Sequence, residues 1–294
     1  MAMNDTRLIR QAGHVAPNRW KPGWHWLLAP PLLIWLVVSI YPFLWMISTA
    51  LKSPTEADVS TSLWPKDPQT GLQVFGTVWN NLHFFQDSIN SLVVSAGIVF
   101  LTWLIYGLAG YGLGVLQFPL RDQIFLMFTV MIFVPGVTIL IPLLVLLRDL
   151  HLSGTPWGVI LPIVNGGGPI AIFLLRGYFR GLSPELRESA KIDGAAELRI
   201  WGQIYMPLAI PALTYLGITG FMAGFKELIL PLLTLTGDST YTLTLGVYYL
   251  NQTEFVQWNL VMAGSLFLIL PILVVYVLFQ RYYIQGLTLG AVRG

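Results

Sequence analysis

The 294-residue chain contains no cysteine, which excludes a disulfide, a thiolate nucleophile and a cysteine-ligated metal site. Histidine is also scarce, and its four copies lie far apart in the sequence. Neither a His-Glu-x-x-His motif nor a Gly-x4-Gly-Lys-Ser/Thr phosphate-binding loop occurs. We therefore expect no catalytic residue, no metal site and no nucleotide or other cofactor site in this chain.

Charge is the second scarce property. Only 10% of the residues are charged and 55% are hydrophobic, whereas a soluble domain carries about 25% charged residues. The composition predicts an integral membrane protein with lipid as a partner. The net charge of +2 gives no indication of a nucleic-acid partner.

Six apolar stretches are long enough, or nearly so, to cross a hydrocarbon core of roughly 30 Å. Pro135 and Pro142 should kink the third. Residues 52–87 and 237–257 are predicted to be loops. The sequence thus predicts an all-α membrane protein with a short N-terminal segment (1–25), a transmembrane domain (26–281) and a C-terminal tail (282–294). The predicted spans are residues 26–50, 88–120, 123–147, 158–175, 207–225 and 258–280.

Glycine marks two places within the spans. Gly110 and Gly114 lie one helical turn apart, a spacing that permits close helix packing but is also tolerated in spans generally. The run Asn165-Gly166-Gly167-Gly168-Pro169 indicates a break within the fourth span. A break at membrane depth requires burial against protein or a water-filled cavity, so it is either a packing kink or part of a solute pathway.

The longest richly charged stretch begins at Ser183. Ser183 can cap a helix, Pro184 suits its first position, and Glu185 favours its positive end. Asp193-Gly194 is a turn signal. We predict two short helices joined by a corner, in a loop of about residues 183–206.

Three parts of this loop are similar to the coupling loop of permease subunits in binding-protein-dependent, ATP-driven importers. They are Glu188-Ser189-Ala190, Asp193-Gly194-Ala195 and Ile204-Tyr205-Met206-Pro207. The family pattern is Glu-Ala-Ala, Asp-Gly-Ala and Ile-x-Leu-Pro, so Ser189 and Met206 depart from it. The resemblance implies that the loop docks on an ATPase, with Glu188 and Gly194 central. The other positions matched to the pattern are Ala190, Asp193, Ala195, Ile204 and Pro207. On the alternative reading, Glu188 only pairs with Lys191 of its own helix.

Further matches resemble the carbohydrate branch of that family, in particular its maltose-type (MalG-like) members. They are Tyr41–Lys52, Pro169–Arg176 and the C-terminal Gly286–Gly294. The resemblance implies a type I ABC importer permease fold with six spans and alternating access. It also implies a second homologous permease, two ATPase subunits that bind ATP and Mg, and an extracytoplasmic solute-binding protein. The C-terminal tail would reach the ATPase, either extended in a groove or disordered.

The distribution of Lys and Arg predicts the orientation. With the N-terminus inside, 12 of these residues lie on the inner side and 3 on the outer side, while Lys226 lies at a span end. Short inner loops are enriched in positive charge. We therefore predict a multi-pass inner-membrane protein with both termini and the coupling loop in the cytoplasm. The outer loops would contact the binding protein, through Trp64, Trp79, Tyr248 and Tyr249 unless these aromatics only mark the membrane interface.

Aromatic rings and hydrogen-bonding groups near the end of the fifth span suggest a sugar pathway. The candidates are Asn165, Phe221, Phe225, Lys226 and Glu227. The sugar branch usually has Trp-Asn-Asp or Trp-Asn-Glu where this chain has Phe225-Lys226-Glu227. Lys226 either reaches the interface or a partner's carboxylate, or forms a cationic cavity for an anionic solute such as a uronate oligosaccharide, for example alginate.

Two rival functions remain at this point. A secondary transporter needs acidic residues within its spans for ion coupling, and no predicted span interior holds one. An importer for a non-sugar solute, such as glycerol phosphate or a peptide, is the nearer alternative, and the tail and Pro169–Arg176 favour sugar over it.

Overall fold

A computed structural model describes the backbone of residues 25–81, 83–250 and 256–291, and the side chains of residues 28–69, 71–80, 83–250 and 256–280. Every regular element in these ranges is helical. In chain order they are α1 (His25–Ala50), α2 (Pro54–Val59), α3 (Pro68–Asn81), α4 (Phe84–Leu101), a π turn (Thr102–Tyr106), α5 (Gly107–Val115), α6 (Arg121–Met131), a 3-10 turn (Gly136–Ile139), α7 (Leu140–Asp149), α8 (Trp157–Arg180), α9 (Glu185–Ile192), α10 (Glu197–Ile200), a second π turn (Trp201–Tyr205), α11 (Met206–Leu208), α12 (Ile210–Lys226), α13 (Ile229–Thr234), a 3-10 turn (Asp238–Thr240), α14 (Leu243–Leu250) and α15 (Trp258–Ala291).

Four helices are long and apolar enough to cross a membrane unaided: Leu28–Ala50, Phe84–Val115, Trp157–Arg180 and Trp258–Gln280. Two bent pairs complete the predicted six spans when each pair is counted as one. The predicted all-α membrane fold is therefore confirmed. The pairs are Arg121–Met131 with Gly136–Asp149, and Glu197–Leu208 with Ile210–Lys226. In the second pair the first segment is bent by 79° from the second, and most of it belongs to the predicted coupling loop of residues 183–206 and not to the fifth span.

The third span is more than kinked. Its two halves meet at 93°, with Pro135 in an extended conformation between them. Pro135 has no backbone N–H and disfavours helix in the residue before it. Pro142, the other expected kink, lies inside α7 without ending it.

The second span begins earlier than predicted. Because α4 starts at Phe84, Asp87 lies in its first turn and is only 3% exposed. Asp87 lies at the end of this span, so it does not contradict the expectation that no span interior holds an acidic residue. The charge of Asp87 led the sequence analysis to start the span at residue 88 instead of residue 84.

The glycine run of the fourth span does not break the helix, contrary to the sequence-based expectation. Helix α8 continues through Pro169 to Arg180. A Cβ at Gly168 would lie 2.3 Å from the Tyr106 hydroxyl oxygen, which donates a 2.9 Å hydrogen bond to the Val164 carbonyl. Gly168 therefore serves close packing against the second span, as one of the two readings proposed.

The two predicted loops contain helices. Helices α2 and α3 lie within residues 52–87, and α14 lies within residues 237–257. Apolar side chains of α3 and α14 belong to a second core cluster, which includes Val78 of α3, Leu243 of α14 and Ala263 of α15. Tertiary burial thus stabilises helices that are marginal in isolation. At the other end of the chain, α15 runs to Ala291, so most of the expected tail is helical and not extended.

The larger core cluster surrounds the seam between α5 and α8. A Cβ at Gly110 would lie 2.7 Å from the Leu175 Cβ, and one at Gly114 would lie 3.1 Å from the Arg176 carbonyl oxygen. The Gly110 and Gly114 spacing therefore does allow close approach. Arg176 closes the seam, since its Nε donates to the Leu113 carbonyl at 3.0 Å.

The described residues divide into two compact units, one that ends at Trp45 and one that begins at Met46. The first contains most of α1, whose segment Leu28–Ala50 has a mean hydropathy of 1.9. The second contains both core clusters, the coupling loop and all the candidate solute residues. The predicted domain bounds at residues 25 and 281 stay a prediction.

Candidate coupling surface and solute pathway

Helix α9 ends in a two-bond cap centred on Gly194. The Gly194 N–H donates to the Lys191 carbonyl at 3.0 Å, and the Ala195 N–H donates to the Ala190 carbonyl at 2.9 Å. Gly194 has φ of +80°, a left-handed conformation that glycine adopts without strain. At the start of the helix the Ser183 hydroxyl accepts from the Glu185 N–H at 3.3 Å. The predicted turn and corner are confirmed, whereas the helix begins one residue later than predicted, at Glu185 with Pro184 in the N-cap position.

One side of the coupling loop is buried. Ala190 is 8% exposed and Tyr205 only 1%, while Ala195 and Ile204 are partly buried against the same core cluster. Tyr205 packs edge to face on Tyr111, with ring centroids 4.9 Å apart. These apolar contacts fix the loop to the ends of the second and fourth spans. Pro207 lies in the short helix α11 and is exposed.

The other side of the loop is exposed and carries the motif's acidic residues. Glu188 and Asp193 are both exposed. Beside them Ile192 is 87% exposed and Leu198 is 69% exposed. An apolar patch with a central carboxylate, held on a rigid cap, is suited to seat in a cleft of another protein.

The alternative role for Glu188 is wrong, because Lys191 does not pair with it. The Lys191 ammonium lies 2.9 Å from a Glu197 carboxylate oxygen. Within the part of the chain that the structure describes, the Glu188 side chain makes no hydrogen bond or ion pair. Its carboxylate is therefore available to a partner.

Glu197 is the anchor of the loop, and the sequence analysis missed it. Its carboxylate accepts hydrogen bonds from Arg187, including one from Nε at 3.2 Å, and a 2.5 Å bond from the Tyr111 hydroxyl of α5. Arg187, burial, Tyr111 and Lys191 all act on this group. The hydrogen bond from Arg187 has the largest effect and, with those from Tyr111 and Lys191, outweighs burial to hold the pKa of Glu197 at about 2. The partners lie up to 86 residues away in the sequence, so only the ten-residue separation from Arg187 offered a local signal.

A cleft of about 330 Å³ lies beneath α9, between the ends of the second and fourth spans. Arg180, Arg187 and Glu188 contribute its charged groups, and Phe179 and Tyr205 its aromatic ones. The cleft separates the exposed helix from the membrane-spanning core on one side. Glu188 thus lies at the edge of both the outer face and this cleft.

The candidate solute residues are not gathered at one site. Phe221 and Phe225 stack with ring centroids 5.6 Å apart, but Phe225 is fully buried in the second core cluster. Its position favours a packing role over contact with solute. Among the described residues no hydrogen bond, ion pair or ring contact joins Asn165 to the other four candidates.

Lys226 and Glu227, although adjacent, face different surroundings. Glu227 caps α13, because its Oε1 accepts from the Ile229 N–H at 3.0 Å and the Leu230 N–H at 3.2 Å. Lys226 is the last residue of α12, is exposed, and has no ion-pair partner within the described ranges. Of the two, Lys226 is the one free to meet a solute or a partner.

Asn165 lies on an exposed part of α8, near the exposed apolar side chains of Leu161 and Ile170. Gly166 and Gly167 are also exposed, and a Cβ at either glycine would meet nothing within 4 Å. Pro169 supplies no N–H, so the Asn165 carbonyl lacks its usual helical donor. This part of α8 therefore offers one amide side chain and one carbonyl oxygen without its helical partner in mid-span. No cluster of three or more metal-binding side chains occurs in the described residues.

Comparison with known proteins points in one direction. Residues 106–288 match the family described as "Binding-protein-dependent transport system inner membrane component". The arabinooligosaccharides transport system permease protein AraQ of Halalkalibacterium halodurans is 31% identical over 280 residues, which cover 90% of this chain and 98% of AraQ.

Two solved structures share the fold. One is a bacterial ABC transporter involved in the import of the acidic polysaccharide alginate, with a TM-score of 0.72 and 20% identity over 88% of this chain and 96% of that one. The other is a bacterial alginate ABC transporter in complex with an alginate pentasaccharide-bound periplasmic protein, with a TM-score of 0.58 and 16% identity over 90% and 99%.

Proposed function

Since this chain belongs to the family of binding-protein-dependent transport system inner membrane components, we propose that it carries an oligosaccharide across the inner membrane. It is a transport subunit and not an enzyme. The observation that carries the proposal is the coupling loop. Its motif residues form a rigid corner with Glu188 and Ile192 exposed on one face and Glu197 anchored on the other.

The exposed face of the loop is the proposed seat of an ATPase subunit. Ile192 and Leu198 supply apolar area, and Glu188 supplies a carboxylate for a charge-assisted bond to a basic side chain. ATP and Mg would be bound by that ATPase, which acts as a pair. A second homologous permease would complete the pathway, since one chain supplies only half of its walls.

The excess of Lys and Arg on that side supports a cytoplasmic coupling loop and cytoplasmic termini. Contacts between distant segments agree with the six-span topology, because they join ends that it assigns to the same side. Tyr111 contacts Glu197 at the proposed inner end, and Asn90 donates to the Tyr241 carbonyl at 2.8 Å at the proposed outer end.

Transport would follow alternating access. ATP closure of the ATPase pair and docking of the loaded binding protein would each favour one of two arrangements of the permeases, and solute would move because both favour the same one. The coupling loop transmits this shift through its bond from Glu197 to Tyr111 in the second span.

An oligosaccharide is the proposed solute, because AraQ, whose printed name assigns it arabino-oligosaccharides, matches along nearly the whole chain. The exposed Asn165 supplies a side-chain amide and, because Pro169 has no N–H, a carbonyl oxygen without its helical donor, and both are suited to sugar hydroxyls.

An acidic oligosaccharide is a second candidate, favoured by Lys226. This exposed ammonium has no ion-pair partner among the described residues, at a position where sugar permeases usually have asparagine. Lys226→Asn should reduce uptake of an oligouronate by several-fold and leave uptake of a neutral arabino-oligosaccharide unchanged. Equal uptake of the oligouronate by both proteins would remove this candidate.

The proposed function is tested by purification and reconstitution. Affinity-tagged chain should bring down an ATPase and a second permease from the native membrane. In proteoliposomes, the complex with its binding protein should take up labelled arabino-oligosaccharide only with ATP inside. Purification without an ATPase, or ATP-dependent uptake of a peptide or phosphate ester in place of sugars, would contradict the proposal.

A further inference from the structure

A pocket of about 270 Å³ lies at the opposite end of the second span from the coupling loop. Asp87 from the first turn of α4 and Asp238 from the turn before α14 both line it, together with His83. Tyr241 and Tyr249 form one wall, stacked with ring centroids 5.0 Å apart and planes inclined by 24°.

The pocket is a fixed part of the fold. Asn90, one turn beyond Asp87, donates 2.9 and 2.8 Å hydrogen bonds to the carbonyls of Ser239 and Tyr241. Ser91 accepts a 2.8 Å bond from the Leu243 N–H. These bonds hold the loop that carries Asp238 against the helix that carries Asp87.

Asp87 is the unusual member. It is only 3% exposed, and its Oδ1 has no hydrogen-bond partner among the described residues. An unpaired buried carboxylate is costly, and a second carboxylate nearby adds to the cost. The positive end of α4 offsets part of this. The pKa of the Tyr241 hydroxyl is raised, mainly by its loss of hydration and to a smaller extent by the neighbouring Tyr249 and Asp238. The contribution of Asp238 agrees with a negative field in the pocket.

The pocket lacks a compensating cation of its own. Neither lysine nor arginine lines it in the part of the chain that the structure describes. Its volume of about 270 Å³ is far more than one water needs, so it has room for a guanidinium or ammonium group with part of its stem. Aromatic faces beside carboxylates are a favourable surrounding for such a group.

We propose that this pocket receives a lysine or arginine side chain of the extracytoplasmic binding protein. The proposal rests on the proposed function, which puts the pocket on the outer side. The pairing of one basic residue with Asp87 and Asp238 would fix the position of the binding protein on the permease. Insertion of that residue would neutralise Asp87 only in the docked state, which makes docking specific.

The local field is tested first, in the intact complex with other subunits free of reactive cysteine. Ser239→Cys places a thiol on the exposed turn beside Asp238, and Thr61→Cys gives a matched exposed thiol outside the pocket. At position 239 a cationic trimethylammonium thiosulfonate should react faster than an anionic sulfonate thiosulfonate. The ratio of the cationic to the anionic reaction rate should be about tenfold higher at position 239 than at position 61. Asp87→Asn and Asp238→Asn should each reduce this excess. A ratio that is equal at both positions would overturn the proposal.

The occupant is tested by cross-linking. A benzophenone attached at position 239 should cross-link the loaded binding protein beside a lysine or arginine, and Asp238→Asn should weaken association about tenfold in low salt. Cross-links to a surface of the binding protein without basic residues would overturn the assignment to a side chain. The same holds if calcium or putrescine slows the reaction of the cationic thiosulfonate at position 239 and the loaded binding protein does not. If both Asp variants associate and take up sugar like the wild type, the pocket proposal fails while the proposed transport function stands.

Discussion

The Glu197 carboxylate of the coupling loop accepts a 2.5 Å hydrogen bond from the Tyr111 hydroxyl in the second span. The same carboxylate binds Arg187 and Lys191 of α9. One side chain therefore ties α9 to the second span, so a displacement of α9 would be transmitted to that span. The first two predictions concern this tie.

Glu197→Gln should loosen the coupling helix without unfolding the spans. The amide keeps the shape but loses the charge, and screening at a carboxylate that is 35% exposed limits the loss to about 1 kcal/mol. We expect a fall in melting temperature of about 2–4 °C and a larger fall in sugar uptake per ATP hydrolysed. Glu185→Gln, on an exposed acid in the first turn of α9, is the control: it removes only the interaction with the positive end of that helix, so sugar uptake per ATP hydrolysed should hold.

The contribution of Glu197 to the free energy of unfolding should also depend on pH. Its pKa is lowered from 4.5 to about 2 on folding, so the carboxylate stabilises the fold fully above pH 4.5 and progressively less as the pH falls towards 2. The difference in melting temperature between wild type and Glu197→Gln should therefore be constant from pH 7 to 5 and shrink below 4.5. A difference that shrinks between pH 7 and 6 would point to another titrating group.

Gly194→Ala should damage the corner of the loop. The left-handed conformation costs a residue with a Cβ about 1–2 kcal/mol, although nothing lies within 4 Å of the added atom. We expect weaker association with the ATPase in pull-down, partly rescued by Gly194→Asn, since asparagine tolerates this conformation. Gly202→Ala is the matched control in the same loop, because Gly202 is exposed, unhindered and at negative φ. Equal loss in both alanine variants would mean that the backbone angle is unimportant.

Glu188→Gln tests docking directly. A charge-assisted bond to an ATPase basic residue contributes about 1.5–3 kcal/mol, so its loss should weaken ATPase binding about 10- to 100-fold. The fold should be unaffected, since the side chain has no partner among the described residues. Binding can be measured by titrating the ATPase onto permease in nanodiscs, with Glu185→Gln as the comparison. Unchanged binding would remove Glu188 from the interface.

Gly168→Ala and Gly166→Ala separate packing from pathway. At Gly168 the new methyl would meet the Tyr106 ring and hydroxyl at 2.3–2.7 Å, which should destabilise the protein by about 1–3 kcal/mol. At Gly166 the methyl meets nothing, so thermal stability should hold while sugar uptake falls if this face lines the pathway. Normal uptake by a stable Gly166→Ala protein would instead make the exposed glycine face a partner or lipid contact.

The coupling loop was predictable because its structure is encoded locally. The Ser183 hydroxyl accepts the Glu185 N–H, Gly194 adopts the left-handed angle, and the density of charge distinguishes this segment from the apolar spans. The anchor at Glu197 was not predictable, because its bond to Tyr111 joins residues 86 positions apart. Hydrogen bonding between distant residues leaves no spacing pattern in a single sequence.

In the membrane spans, too, local signals were predictive and distant contacts were not. Runs of apolar residues predict six spans, but the glycine run at Gly166–Gly168 also predicts a break that the structure does not have. In isolation such a run disfavours helix, but Tyr106 packs against Gly168 and supports the helix there. Helix α14 was missed for the converse reason, since burial of Leu243 and Leu245 outweighs its weak local signal.

The π turn at Thr102–Tyr106 divides the second span into a half that carries Asn90 and Ser91 and a half that carries Gly110 and Gly114. Successive residues of an α-helix are rotated by about 100°, since a turn takes 3.6 residues. Deleting one residue here would regularise the helix but rotate one half by that angle relative to the other. Either the glycine seam or the hydrogen bonds to the opposite loop would then face the wrong way. The π turn therefore determines how the two halves of the second span are rotated relative to each other. An insertion or deletion of one residue here should not be tolerated.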